Sequence, residues 1–253
     1  MTGVYMTGVK YKNSPIREAI FDVRFKFEKQ LEMSIFESFF KEIQEIYPKR
    51  EVLNTQSFSF KLKLGEKPKM DSSGGPKVGL RLQSKDGTKF VQARMDGFTF
   101  SQLEPYGDWD SFFTEAKRLL DVYQEKTHPM YAERIALRYV NAVKIPEKNF
   151  DLEDYFLTAP TIAKDIPQSL LNFFLRAVIK DDRSDSVAIV NQTVEDARIV
   201  DVTTIIFDID VFQANLRVDP SGAEAKKIIE ALKDFRTRIF EGSLTKKTKD
   251  SFG

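Results

Sequence analysis

Apolar residues recur at every second position over residues 18–28, where Ala19, Phe21, Val23, Phe25 and Phe27 alternate with Asp22, Arg24 and Lys26. A period of two puts the sets on opposite faces of a strand, one buried and one wet. From Ser34 the period lengthens. Phe36, Phe39, Phe40, Ile43 and Tyr47 share one helical stripe ahead of Pro48, and Ser34 with Glu37 has capping-box spacing. Alternation returns over residues 56–64, 78–84, 89–95 and 98–103, and the Asp86-Gly87 and Asp96-Gly97 pairs predict tight turns of an antiparallel meander. Between the first two of these strands, residues 65–77 are rich in Gly, Pro, Ser and Lys and predict a mobile loop. A second helix is predicted over residues 107–126, capped by Asp108, with Trp109, Phe112, Phe113, Ala116, Leu119, Leu120 and Tyr123 on one stripe. That stripe reads as core, because it repeats at the spacing a sheet-packing helix requires.

The stretch "AERIALRYVNAVKIP", residues 132–146, opens a second round. It is followed by a short helical piece at 151–156, a Pro-bounded connection from Pro160 to Pro167, and strands at 170–181, 186–195 and 200–213. The last helix is predicted from Ser221, with Glu224 completing a second capping box and Ala225, Ile228, Ile229, Leu232, Phe235 and Ile239 on its apolar side. The order strand, helix, strands, helix is thus stated twice. "EAIFDVRF" and "ERIALRYV" open the two rounds with Glu first and Ile third, about 115 residues apart. The expected fold is α+β: one unit of two pseudo-repeated halves, 14–128 and 129–250, whose antiparallel sheets join under long helices packed on one face. In outline this resembles the TATA-box-binding protein fold or a helix-grip fold, a likeness of architecture that carries no function. Residues 1–10 are expected to form a flexible leader.

Composition narrows the chemistry. A chain of 253 residues with 42% hydrophobic and 30% charged residues reads as a soluble globular protein, and no apolar run or signal-like start directs it away from the cytoplasm or into a membrane. With 39 basic and 38 acidic residues the net charge is +1, which removes the strongly basic field of a simple nucleic-acid binder while leaving local patches open. Cysteine is absent, excluding disulfides, thiolate nucleophiles and cysteine-rich zinc sites. His128 is the only histidine, and beside Pro129 at a helix exit it reads as a cap on the last carbonyls.

The remaining candidates are charged residues on strands. Arg134 and Arg138 share a face and stand about 13 Å apart at ordinary strand rise. That is too wide for one phosphate clamp, but it matches two successive phosphates of a single strand or acidic partners on neighbouring strands. Asn141, on the apolar face, is expected to be buried and hydrogen-bonded, fastening the "NSPI" segment or a turn. Asp208 and Asp210 share a strand face, with Asp201 on the other, and are weak candidates for a divalent cation or an acid–base pair. Lys61 and Lys63, with Lys67, Lys69 and Lys77, form either a local basic patch or a lysine-guarded edge.

Four segments carry a family resemblance: "YKNSPIREAIFDVRF", "FTFSQLEPYGDWDSFFTEAKRLLDVY", "ERIALRYVNAVKIPEKNFDLEDYF" and "IFEGSLTKKTKDSF". Together they resemble an uncharacterised, sporadically distributed prokaryotic protein family of about this length. The distinctive positions are Asn13, Pro15, Ile16, Glu18, Ala19, Trp109, Arg134, Leu137, Arg138, Tyr139 and Asn141. The resemblance implies a mobile or defence-associated gene and transfers no catalytic residue or cofactor. The expected function is a non-catalytic binding module that engages a protein partner or a nucleic acid, with homodimer formation open and no cofactor. The alternative is a metal- and carboxylate-dependent enzyme or a small-ligand receptor with its pocket between sheet and helices.

Overall fold

Alternation in the first strand, β1 (Ile16–Lys26), buries Ala19, Phe21, Val23 and Phe25 under helices and turns Asp22 and Arg24 to the opposite face. In a computed structural model, residues 11–61, 69–147, 150–167, 170–195 and 202–253 are described, with 56–61 and 69–74 described by their backbone alone. The elements that follow β1 are α1 (Met33–Ile43), β2 (Lys49–Lys61), β3 (Lys69–Gln83), β4 (Lys89–Arg94), β5 (Gly97–Leu103) and α2 (Trp109–Thr127). The second round runs β6 (Tyr131–Ile145), a single 3-10 turn over Leu152–Asp154, β7 (Phe174–Lys180), β8 (Val187–Val194), β9 (Thr203–Val218), α3 (Ala223–Ser243) and a short α4 (Lys246–Asp250).

The strands form one nine-stranded antiparallel sheet, ordered β2-β3-β4-β5-β1-β6-β9-β8-β7. Its centre is the β1–β6 pair, in register through Phe21↔Leu137 and Asp22↔Ala136. The helices cover one face: α1 and α2 pack over β3, β4 and β5, and α3 over β6 and β9. An α+β fold with a large antiparallel sheet and helices on one face is therefore what the apolar periodicity encodes.

One hydrophobic cluster runs beneath the helices. Tyr123 of α2 is fully buried, stacks on Phe25 at 5.7 Å between ring centroids, meets Phe39 and Phe98, and donates its hydroxyl to the Arg94 carbonyl at 2.7 Å. Under α3, Phe207 meets Phe156 at 5.7 Å and Phe240 at 6.3 Å. Gly97 lets β5 lie tight against β1, since a Cβ there would sit 2.3 Å from the Val23 carbonyl oxygen.

Several local expectations change. The Asp108 carboxylate accepts the Ser111 N–H at 2.9 Å and caps α2 as predicted. The two capping boxes do not form. Helix α1 starts at Met33, so Ser34 lies inside its first turn and Glu37 pairs with Arg50. Helix α3 is entered through Gly222, because a turn closed by the Gly222 N–H on the Asp219 carbonyl at 2.9 Å sets its start, and Ser221 donates its N–H to the Asp219 carboxylate. His128 caps α2 with its backbone N–H, donated to the Gln124 carbonyl at 2.9 Å from a left-handed φ of 46°. The hairpin between β4 and β5 turns through Met95 and Asp96, with Gly97 already in the strand. The predicted loop at 65–77 is largely strand, because β3 starts at Lys69 and pairs with β2 out to Lys61↔Lys69.

If Tyr123 is the keystone of the first half of the core, Tyr123→Ala lowers unfolding free energy by about 3–5 kcal/mol in urea denaturation. Tyr123→Phe, which keeps the ring and loses one hydrogen bond, costs about 1 kcal/mol.

Candidate functional site

The helix-free face of the sheet carries charge where its other face carries phenylalanine. Asp22 stands near the middle, on β1. Its carboxylate accepts the Arg134 Nη1 proton at 3.0 Å from β6, the Arg94 Nη2 proton at 2.9 Å from β4, and the Thr99 hydroxyl at 2.8 Å from β5. Arg134 reaches on to Asp210 of β9 at 3.3 Å, and its guanidinium lies 4.6 Å over the Phe212 ring. Arg24 pairs with Asp96 and lies 3.9 Å from Asp22.

A second line runs outward from Arg138. Its guanidinium grips Asp208 with two parallel bonds, at 2.8 and 2.9 Å, the fork-on-carboxylate geometry that gives arginine pairs their direction. Asn191 of β8 donates its amide to the same carboxylate at 3.0 Å, and Arg176 of β7 donates to the Asn191 amide oxygen at 3.3 Å. Strand pairing sets Arg138 opposite Asp210, yet the side chain leans diagonally to Asp208. Asp208 is 8% exposed at its side chain while Arg138 is 47% exposed, so the pair presents a positive outer surface over a buried carboxylate.

Between these lines lies a cleft of about 550 Å³, with Ile20 and Ala136 as its apolar part and Asp22, Arg24, Arg138 and Asp210 among its polar walls. Four arginines (Arg24, Arg94, Arg134, Arg138) meet four aspartates (Asp22, Asp96, Asp208, Asp210), so these ion pairs balance in charge, with Arg176 beyond them on β7. Burial pulls the Arg94 guanidinium towards neutrality, but Asp22 and Asp96 outweigh it and hold its pKa above the ordinary value. Arg138 is raised chiefly by its bonds to Asp208. Burial pushes the Asp210 carboxyl above the usual aspartate range, with repulsion from Asp208 and Asp22 adding to it and Arg134 and Arg138 opposing it.

The sequence candidates fall in different places. Arg134, Arg138, Asp208 and Asp210 are brought together on this face. Their pairing changes the meaning of each: Arg134 is held between two carboxylates, and Asp208 and Asp210 accept from arginines. Among the described residues no group of three or more His, Asp or Glu side chains is arranged to hold a metal ion. Asn141 is buried on the opposite face, and its side-chain amide donates to the Tyr139 and Phe207 carbonyls at 3.3 and 2.9 Å. The N-terminal segment is fastened instead by backbone, the Ala142 N–H to the Pro15 carbonyl at 2.8 Å. Lys61 pairs by its backbone with Lys69, whereas Lys63, Lys67 and Asp201 lie outside the described residues. Asp22, Arg94, Thr99 and Asn191 belong to the network without having been singled out from sequence.

A second recess, of about 750 Å³, opens on the helix side beside Tyr11, Asn13, Glu104 and Tyr106. Behind its wall the Tyr106 hydroxyl lies 3.1 Å from that of the buried Tyr139, and the Arg236 guanidinium stacks 4.2 Å over the Tyr139 ring. Among the described residues no helix is long and apolar enough to cross a membrane. No protein-family model matches the chain, and no curated protein is found to match it.

Asp210 gives the face a pH signature. Ionising it is harder in the folded protein than in the unfolded chain, so its favourable contribution is complete below the ordinary aspartate range and is lost as pH rises through its raised pKa. Asp210→Asn is therefore expected to raise the urea midpoint at neutral pH, and the gain should vanish towards about pH 3. Paired denaturation curves of wild type and variant across that range check it.

Proposed function

We propose that this protein is a non-catalytic binding module whose helix-free sheet face engages a protein segment carrying both signs of charge. The reading assigns it to the uncharacterised prokaryotic family that its four segments resemble. It also takes the chain as an internal duplication of the TATA-box-binding-protein type. The mirrored strand order about the β1–β6 centre supports that duplication, with β5, β4 and β3 on one side and β9, β8 and β7 on the other.

One observation carries the choice of partner: the half-exposed Arg24 and Arg138 stand in a cleft whose other charges, Arg134 and the carboxylates of Asp22 and Asp210, are already paired with one another. A phosphate backbone arriving there would have to displace Asp96 and Asp208 from these two arginines, and the balanced ion pairs offer little counterion release to drive it. A protein segment with its own acidic and basic side chains exchanges partners with the network one for one.

The test is co-purification from the native host with wild type and with an Arg24→Gln/Arg138→Gln variant, which keeps hydrogen-bond donors and removes two charges. A protein retained by wild type at low salt and reduced at least tenfold with the variant is the expected result. Salt-dependent binding of single-stranded nucleic acid that the variant abolishes, with no protein retained, would replace this reading with a nucleic-acid one.

A further inference from the structure

The two edges of the sheet are unlike. Among the described residues four strands, β5, β4, β3 and β2, lie beyond β1, and three, β9, β8 and β7, beyond β6. The β2 edge begins Lys49-Arg50-Glu51, all exposed, with Arg50 paired to Glu37 and Glu51 to Arg81. Charges of this kind discourage another strand from adding. The β7 edge reads Phe-Leu-Arg-Ala-Val-Ile-Lys, with Phe174 67%, Val178 66% and Ile179 40% exposed. An apolar edge strand with one side unpaired is a template for strand addition.

We propose that β7 pairs antiparallel with β7 of a second copy of this chain, about a two-fold axis through Ala177, joining the two sheets edge to edge. The sequence of β7 is self-complementary at one register. An axis that keeps the helices of both copies on the same side must pass through a residue, because only then do paired residues point to the same face. An axis at Arg176 sets Arg176 against itself, and one at Val178 sets Arg176 against Lys180; like charges directly opposite destabilise a pair. An axis at Leu175 or Ile179 leaves most of the strand unpaired.

Through Ala177 all seven residues of the strand pair: Phe174 with Lys180, Leu175 with Ile179, Arg176 with Val178, and Ala177 with itself. The outer pairs on the helix-free face set an ammonium beside an aromatic ring, and Leu175 with Ile179 is an aliphatic pair. Arg176 is bonded to Asn191 of its own chain, which draws its guanidinium inward from the edge. A chain net charge of +1 gives two copies little long-range repulsion.

The chain contains no cysteine, which makes the test direct. Wild type is expected to sediment at twice the 29.2 kDa chain mass at micromolar concentration. Val178→Lys, a change at an exposed position that sets a new ammonium against Arg176 of the other copy, is expected to yield monomers with an unchanged circular dichroism spectrum. Ala177→Cys should form a disulfide-linked dimer under mild oxidation, blocked when Val178→Lys is added. A monomeric wild type overturns the proposal and leaves the edge to a strand of a different protein. A dimer that survives Val178→Lys, or an Ala177→Cys dimer that fails to cross-link, overturns it equally. The Arg24/Arg138 face is a different surface, and its variant should leave the mass unchanged.

Discussion

The antiparallel pairing of β1 with β6 is the contact on which the rest of the molecule depends. It is the longest-range strand pairing of the sheet, and it brings Asp22 to Arg134 across 112 residues of chain. Once made, it fixes which face of the whole sheet meets the helices. A slip of β1 by one residue would turn Phe21 and Val23 to water and bury Asp22 and Arg24, and the same slip of β6 would turn out Leu137 and Tyr139 and bury Arg134 and Arg138. Such a slip exposes several large side chains, each contributing about 1.5–3 kcal/mol when buried, so the apolar pattern holds the register.

The charged face is the other side of the same constraint. With the apolar positions committed to the helices, the alternate positions of five strands bring arginines and aspartates into one plane. Arg24 even lies directly opposite Arg134, a pairing that is unfavourable by itself. Asp22, bonded to Arg134 and close to Arg24, and Asp96, bonded to Arg24, offset the juxtaposition. Substitutions within this plane are not independent, because most carboxylates in it serve more than one donor.

Legibility in the sequence followed the range of the interaction. Strands and long helices were legible because their periods are local. The Asp108 cap was legible because it acts three residues away on Ser111. The Ser34 and Ser221 caps were misread because the helix start depends on how the chain enters it, which turns and neighbouring strands decide. The "DLEDYF" segment forms only a 3-10 turn, closed by the Tyr155 and Phe156 N–H groups on the Leu152 carbonyl. In the site, Arg134, Arg138, Asp208 and Asp210 stood out as charges on strand faces, but their partners did not. Neither Asp22 nor Asn191 carries a local mark of the residue it will meet, since that is set by strand order and register. Asn141 was legible as a buried amide and not as a donor to the Phe207 carbonyl, which belongs to a strand 66 residues away.

The hydrogen-bonded line Arg138, Asp208, Asn191, Arg176 connects the centre of the charged face to its outermost strand. The two middle links, Asp208 and Asn191, are each held from both sides, whereas Arg138 and Arg176 end the row. The central cleft and the sheet edge are separate surfaces chemically, but they share one row of polar side chains, so substitutions along that row are not independent of one another.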